Sequence, residues 1–527
     1  MKPRVVVAAV ILAAWLTGVG MMFRREYFRP HIERLAEAAL RVSPGAVFYA
    51  VMQGDKQVGF ASSTVDTAAT MIEQRDYLTA DILAAGQVHR ATARTNVTLT
   101  RTLRMRSFEA EIDAKQKPMK VRGQVSGDTT LSFVLNAVPG QPADTQRVKI
   151  SGPILLPTLV PLAVALESRP RVGQSYVLPL FDPTTMAPRD VRIDVQAETV
   201  FVVNDSSVLD TVSGVWHGVL PDTVRAWRLV PQSGGGASAS WVDAQGRVVA
   251  STQMGFELRR MPYEVAFENW RRESDISARA LRKAATAAAT AAAAERGRDI
   301  FEATAIASNR KLGRSVSELR ATLSGAALTG FDLDGGRQRF RGDTLEVTRE
   351  GVAALAPRYF PILNAAERAR VPDLRKEPFL EVDHREIVAL AERLADRSRD
   401  PRVIAERINR WVYDSVRKEI SVGIPSALHV LRTRSGDCNE HTQLFVALAR
   451  AAGVPARIAT GLAYVDGKFY YHAWPEVLLR GWVAVDPTFG QFPADAAHLR
   501  FVTGGFARQT ELIKLVGNLR IKVLRTR

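Results

Sequence analysis

The sequence predicts an α+β protein with a strand-rich N-terminal half and a C-terminal part that mixes helices with strands. Short alternating apolar and polar runs, separated by turn residues, fill residues 45–270, as is typical of half-buried strands. An alanine-dense stretch without proline in residues 275–310 predicts a helical connector. Helical periodicity and strand-like alternation both occur between residues 375 and 527, which indicates a second mixed domain.

Length and composition describe a globular chain of several domains. The 527 residues exceed one ordinary core, and 46% hydrophobic with 24% charged residues argue against global disorder. Lys and Arg exceed Asp and Glu by 71 to 55, a net charge of +16. The arginines are scattered and no nucleic-acid-binding motif accompanies them, so no nucleic acid is expected as a partner. Binding of an anionic polymer is a lesser alternative, which steep salt dependence would reveal.

The N-terminal segment, residues 1–30, predicts a transmembrane anchor. Residues 5–23 are apolar and uncharged, close to the roughly 20 residues that a spanning helix needs. No cleavage site of small residues precedes Arg24, so we expect the helix to be retained. Positive charges lie on both sides of it, but a short head before a large globular remainder favours a single pass through the inner (cytoplasmic) membrane, with the bulk in the periplasm.

The middle of the chain shows turns, a short helix and a small β module. Gly54-Asp55 and Gln245-Gly246 fit hairpin turns, and the proline-containing residues 151–166 predict a short helix or crossover. Strand-like alternation returns in residues 311–350 around Gly335-Gly336, which predicts a small β module. No residue cluster in the β-rich domain resembles a catalytic site.

Helices begin the C-terminal domain, residues 375–527. Asp400 fits an N-cap and Pro401 the first helical position. The apolar residues that follow at helical spacing predict an inward-facing stripe: Ile404, Ile408, Trp411 and Val412. Residues 425–437 predict a shorter helix and a loop that leads to the only cysteine of the chain.

That cysteine, Cys438, lies where a helix is predicted to begin. Asp437 followed by Glu440 fits a capping box, which makes Cys438 the first helical residue. A helix N-terminus and a nearby imidazolium both lower the pKa of a thiol. A cysteine nucleophile at this position therefore requires a histidine partner.

Three strands are predicted after this helix, and they supply the partners. His472 lies in the second strand and Asp486 ends the third, with a turn at Arg480-Gly481 between them. Antiparallel pairing across this turn brings His472 and Asp486 close together. Cysteine to attack a carbonyl, histidine to carry the proton and carboxylate to orient the imidazole form a catalytic triad. The backbone N–H of Cys438 is the expected first donor to the oxyanion, and the second donor is not identified.

Three sequence blocks resemble the signature of the transglutaminase-like superfamily: "SGDCNEHTQLFVALARAAGVPAR", "YYHAW" and "GWVAVDPTF". The resemblance extends over roughly residues 375–520, and within the superfamily this sequence is similar to the bacterial multidomain members. It implies a papain-like α+β core with Cys438 as nucleophile, His472 as base and Asp486 as orienting carboxylate. It implies no cofactor, and nothing resembles the calcium-binding loops of the animal enzymes.

Several of these residues also have a purely structural explanation. A single cysteine is usually a small buried hydrophobe, and the superfamily includes members whose catalytic residues are lost. Asp437, Glu440 and His441 are adjacent but face different directions on a helix, so no metal site is predicted. His384 fits a solvated first helical turn. Trp474 shares a strand face with His472 and is expected to line the substrate cleft.

The residues therefore predict a membrane-anchored enzyme that attacks amide or peptide bonds through a thioester at Cys438. The acceptor, water for a hydrolase or peptidase and an amine for an acyltransferase, stays open because it depends on cleft shape. The expected substrate is a protein or peptide of the cell envelope. The alternative is a non-catalytic envelope scaffold with a decayed papain-like core, whose β-rich domain binds an envelope protein.

Overall fold

The computed structural model describes residues 42, 44–274 and 304–527 with short gaps. The gaps are at 69, 85–86, 115–118, 128, 136–144, 168, 183–186, 233–237, 254, 314, 352, 354, 357–364, 378, 420–425 and 516. The predicted anchor at 1–30 and most of the predicted connector at 275–310 lie outside the described residues. Within the described part of the chain, no helix is long and apolar enough to cross a membrane.

The N-terminal half forms one antiparallel sheet of fourteen strands. In chain order these are β1 (Gly45–Gln53), β2 (Lys56–Thr67), β3 (Met71–Ala84), β4 (Gln87–Thr100), β5 (Met105–Ala114), β6 (Met119–Ser126), β7 (Thr130–Leu135), β8 (Thr145–Lys149), β9 (Ser175–Asp182), β10 (Ala187–Asp210), β11 (Val215–Pro231), β12 (Ala239–Asp243), β13 (Val248–Gln253) and β14 (Phe256–Met261). Two meanders, β1–β8 and β9–β14, join where β1 pairs with β14. The predicted strand-rich N-terminal half is confirmed.

Alternating burial along these strands builds the first core. In β6, for example, Val121, Gly123 and Val125 point inward between exposed neighbours, as period-two alternation requires. A single 3₁₀ turn (Pro157–Leu159) and helix α1 (Val160–Glu167) supply further buried residues to this core. Residues 151–166 were predicted to form a short helix or crossover, and a helix is present from Val160 onward.

The C-terminal part contains six α-helices, one 3₁₀ helix (Thr510–Leu515) and eleven strands among its described residues. The helices are α2 (Ala365–Arg370), α3 (Arg385–Ala395), α4 (Pro401–Ser415), α5 (Ala427–Thr433), α6 (Cys438–Ala451) and α7 (Phe506–Gln509). The strands are β15 (Ile306–Ala307), β16 (Glu318–Ser324), β17 (Gln338–Arg341), β18 (Thr344–Thr348), β19 (Arg417–Lys418), β20 (Ser435–Gly436), β21 (Ala456–Val465), β22 (Lys468–Leu478), β23 (Trp482–Ala484), β24 (His498–Thr503) and β25 (Arg520–Thr526).

The helix that precedes the cysteine region begins as predicted. The Asp400 carboxylate accepts hydrogen bonds from the backbone N–H groups of Arg402 (2.8 Å) and Val403 (3.4 Å), so it is the N-cap of α4. Ile404, Ile408 and Val412 are buried in the core of the C-terminal domain. Trp411 is only partly buried, and its ring lies under the guanidinium of Arg434.

A sheet with helix α6 packed against it carries the candidate site. Strands β15, β22, β21 and β24 are neighbours in that order, and β23 pairs with the far end of β22. Helix α6 packs against β22 and β21. At the end of the predicted connector, Ile306–Ala307 is a strand that pairs with Lys468 and Phe469 instead of a helix.

A second sheet joins residues 311–350 to the C-terminus. Its order is β17-β18-β16-β25, so the last strand of the chain, Arg520–Thr526, completes the predicted small β module. Apolar residues of this sheet and of β21, β22 and β24 share one buried cluster. The small β module therefore packs against the sheet that contacts helix α6.

Phe379 links the two halves of the protein in the described part of the chain. The Phe379 side chain is 1% exposed and belongs to the buried cluster of the fourteen-stranded sheet. Its backbone carbonyl accepts a hydrogen bond from Ala427 N–H at the start of α5 (3.0 Å). The N-terminal core thus contacts the segment that leads through α5 to Cys438.

Candidate active site

Helix α6 starts at Cys438 because its first turn is capped on both sides. The Asp437 carboxylate accepts from the backbone N–H of Asn439 (2.8 Å) and of Glu440, and the Glu440 carboxylate accepts from Asp437 N–H (3.0 Å). This is the predicted capping box. Gly436 is needed just before it, since a Cβ there would collide with the Glu440 side chain. The partly exposed Cys438 is therefore fixed as the first residue of the helix.

His472 and Asp486 are brought together by the hairpin of β22 and β23. Glu476 pairs with Ala484, and the chain then turns so that His472 Nε2 lies 2.7 Å from Asp486 Oδ2. His472 is 5% exposed and Asp486 is 0% exposed, so this pair is removed from water. Because Nε2 is the atom bound to the carboxylate, the lone pair of a neutral His472 is on Nδ1.

The Asp486 carboxylate has a hydrogen bond for each available position. Its Oδ1 atom accepts from the backbone N–H groups of Thr488 (2.7 Å) and Phe489 (2.9 Å). Burial alone would raise the pKa of Asp486, but His472 and then His498 hold it far below its usual range. Asp486 is therefore ionised at neutral pH.

Cys438 contacts the strand that carries His472. The backbone N–H of Ala473, the next residue, faces the Cys438 sulfur and acts to lower the pKa of its thiol. Burial, followed by the negative charge of Asp437, raises the pKa of the Cys438 thiol well above its ordinary value. This differs from the expectation of a lowered pKa, because burial and the surrounding carboxylates outweigh the favourable helix terminus.

We therefore expect the resting chain to hold a neutral thiol. Alkylation of Cys438 by iodoacetamide should accelerate with a midpoint above the ordinary thiol value of about 8.5, since the thiolate is the reacting species. Cys438 is the only cysteine, so intact mass measured against pH reports this one site. The unfolded chain is the control and should titrate near the ordinary value. A fast, pH-independent rate from pH 5 to 8 would instead indicate a preformed thiolate.

A second histidine, which sequence reasoning missed, binds the same carboxylate. His498 Nε2 lies 3.0 Å from Asp486 Oδ2, and His498 Nδ1 lies 3.0 Å from Asp495 Oδ1. Asp495 and His498 lie in "ADAAHLRF", a few residues after "DPTFG". The Asp495-x-x-His498 spacing at a strand start was the available signal, but only the pairing of β24 with β21 brings it to Asp486.

Aromatic rings enclose His472 and correct the expectation for Trp474. The Phe489 ring, 39% exposed, stacks on the His472 ring at 4.7 Å with an angle of 5°. Trp474 does share the face of His472, with ring centroids 6.1 Å apart. However, it is 0% exposed and packs against buried alanines such as Ala494. Trp474 therefore supports the site from behind instead of lining an open cleft.

The buried histidines and carboxylates do not suit a metal ion. His472, Asp486 and His498 offer three ligand atoms within 4.8 Å of one another. Both ring nitrogens of His498, however, lie at hydrogen-bond distance from carboxylates, and a carboxylate can only accept. His498 thus carries protons on both nitrogens and has no lone pair for a metal.

The other histidines considered from sequence have structural contacts. His441 is buried, with Nδ1 2.7 Å from the Asp437 carbonyl and Nε2 3.2 Å from the Val416 carbonyl. Glu440 closes the capping box. His384 is the N-cap of α3 and accepts from Glu386 N–H at 3.3 Å. Their contacts to backbone groups explain these side chains without a bound ion.

The fold and the site define a class: an α+β core in which a cysteine at a helix N-terminus lies against a strand with a carboxylate-bound histidine. Residues 388–487 match the family model of the transglutaminase-like superfamily. The chain therefore carries a transglutaminase-like domain, as the sequence blocks predicted, of the general type that performs cysteine-based peptidase or acyltransferase chemistry. No curated protein sequence matches the chain.

Several solved structures resemble parts of the chain. A candidate cysteine protease from Cytophaga hutchinsonii is 16% identical, covering 40% of this chain and 86% of its own, with a TM-score of 0.27. A β-barrel-like protein of unknown function from Brucella abortus is 13% identical, covering 42% and 95%, with a TM-score of 0.27. The periplasmic domain of TgpA from Pseudomonas aeruginosa, bound to ethylmercury, is 21% identical, covering 35% and 76%, with a TM-score of 0.23. At these TM-scores the likenesses carry no argument about function.

Proposed function

We propose that this protein attacks amide or peptide carbonyls with Cys438 and forms a thioester intermediate. The observation that carries the proposal is the bond of His472 Nε2 to the buried Asp486 carboxylate, on the strand whose Ala473 N–H faces the Cys438 sulfur. Nucleophile, base and orienting carboxylate are the three parts that cysteine-based acyl transfer needs.

The reaction follows from the free lone pair on His472. The Cys438 thiol gives its proton to Nδ1 of His472 as sulfur bonds to the carbonyl carbon. The tetrahedral intermediate collapses, the C–N bond breaks, and His472 returns the proton to the leaving amine. Water or an acceptor amine then attacks the thioester carbon and gives a proton to His472. That proton restores the Cys438 thiol as the C–S bond breaks. Asp486 holds the imidazole in place throughout.

The first turn of α6 offers a donor for the oxyanion. The capping box occupies the N–H groups of Asn439 and Glu440, which leaves the N–H of Cys438 itself for a substrate oxygen. Such a donor acts beside the positive end of the helix, where negative charge is stabilised.

We place the reaction at the cell envelope. Residues 5–23 support a single-pass anchor in the inner membrane, and a periplasmic location gives the enzyme envelope proteins or peptides as substrates. We assign to the fourteen-stranded sheet the role of binding an envelope protein. The proposed product is a carboxylate when water accepts the acyl group. When an amine accepts it, the product is a new amide.

The direct test is acylation of Cys438 by p-nitrophenyl acetate, followed by intact mass. The native full-length chain should gain an acetyl group that hydroxylamine removes, and it should do so faster than the unfolded chain at the same pH. Cys438→Ala should gain none that hydroxylamine removes. Acylation of the native chain no faster than of the unfolded chain would contradict the enzyme and favour the scaffold alternative.

A further inference from the structure

His498 lies where it can control the charge on Asp486. The two histidines His472 and His498 bind the same oxygen, Oδ2 of Asp486, at 2.7 Å and 3.0 Å. Their ring centroids are 5.7 Å apart. One carboxylate therefore joins the candidate base to a second imidazole, which the reaction described above does not use.

The contacts of His498 fix its protonation state. Its two ring nitrogens lie 3.0 Å from Asp486 Oδ2 and 3.0 Å from Asp495 Oδ1. Asp495 Oδ1 also accepts from the backbone N–H of Ala497 at 3.0 Å, as an ionised carboxylate does. Since carboxylates accept and do not donate, both nitrogens of His498 must carry protons. His498 is 2% exposed, so this imidazolium has no water to replace its partners.

The charged groups around His498 agree with this assignment. Asp486 and Asp495 face it directly, and His472 lies beyond Asp486. On the far side of Asp495, Arg337 donates to the Asp495 carbonyl (2.5 Å). Burial alone would lower the pKa of His498, but the hydrogen bonds to Asp486 and Asp495 raise it above its ordinary value.

We propose that His498 is a positioning residue that remains an imidazolium during turnover and divides the charge of Asp486 between two histidines. This proposal rests on the proposed function of Cys438 and His472. With His498 charged, Asp486 orients His472 without holding a proton on it permanently, so His472 can accept a proton from Cys438 and release it to the leaving group. Without His498, the full charge of Asp486 would act on His472 alone and would favour the charged form of its imidazole over release of the proton to the leaving group.

The first test is the pH dependence of Cys438 acylation in the full-length chain. His498→Gln keeps one N–H donor but removes the charge. We expect a rate about tenfold lower at neutral pH, corresponding to an acid limb moved up by about one pH unit. His384→Gln, at the N-cap of α3, is the matched control and should leave the profile in place. A lower rate with an unchanged limb would mean that His498 acts only on folding and would overturn the proposal.

The second test does not depend on activity. Histidine-selective ¹⁵N NMR of the full-length chain resolves the protonation of its eight histidines, and His498→Gln assigns the signal. His498 should remain protonated on both nitrogens through neutral pH and titrate above about 6.5. Titration near or below that value would overturn the proposal. A chain in which His498 stays protonated but Cys438 is never acylated would instead contradict the proposed function alone.

Discussion

His472→Ala is expected to slow acylation of Cys438 by about a thousandfold, the range that a positioned general base contributes. The substitution removes a side chain that is both bonded to Asp486 and adjacent to the Ala473 N–H, which faces the sulfur. Because the Cys438 thiol has a raised pKa, little thiolate is present at neutral pH without a base. The measurement is the rate of acetyl transfer from p-nitrophenyl acetate at pH 7.

A histidine elsewhere in the same domain provides the matched control. His384→Asn preserves an N-cap for α3, since asparagine is also a favoured capping residue, and it should keep the wild-type rate. The His472→Ala rate should recover partly above the raised thiol pKa, where thiolate forms without a base. If His472→Ala acylates Cys438 at the wild-type rate at pH 7, His472 is not the base.

Local patterns were sufficient to predict the elements that hold the candidate site. Asp437 and Glu440 are three residues apart, and a capping box depends only on that spacing, so the start of α6 was predicted to the residue. The hairpin around Arg480-Gly481 likewise needs only a turn and two alternating strands, and it places His472 against Asp486. These features involve neighbours within a short stretch of chain.

Contacts between distant segments could not be predicted from the sequence alone. His498 meets Asp486 because β24 pairs with β21, although two strands, β22 and β23, lie between them in chain order. That pairing needs Gly461, where a Cβ would collide with the Leu499 carbonyl. The closure of the two N-terminal meanders through β1 and β14 is similarly long-range. Alternation predicts that a strand exists and which face is apolar, but not which strand becomes its neighbour.

Trp474 shows the same limit, because its strand face was predicted correctly and its exposure was not. Period two placed it on the face of His472, and the rings do lie near each other. Whether that face is open depends on the segment that covers it, and Ala494 from the loop before β24 packs there. Sequence spacing determined the face of the side chain but not its exposure.

Asp486→Asn is expected to lower both stability and acylation, each by a large amount. An asparagine amide would point N–H groups at His472 or His498, both of which donate to this position in the wild type. Removing one member of a buried ion pair costs about 3 kcal/mol or more in free energy of unfolding. His472 would also lose the partner that keeps its lone pair on Nδ1, a change that costs about 10⁴-fold in comparable triads.

Urea unfolding and the acylation rate separate these two effects when Glu476→Gln is the control. Glu476 is a buried carboxylate on β22, the strand of His472, and binds Arg457 (2.6 Å) and Arg500 (3.1 Å). Its loss should destabilise the chain while the folded fraction keeps its acylation rate.

Wild-type Asp486 has a lowered pKa and His498 a raised one. The first contribution is lost as pH falls below about 4, and the second as pH rises above about 6.5. The stability difference between wild type and Asp486→Asn should therefore be largest between these values, and a difference independent of pH would contradict the charged network around Asp486.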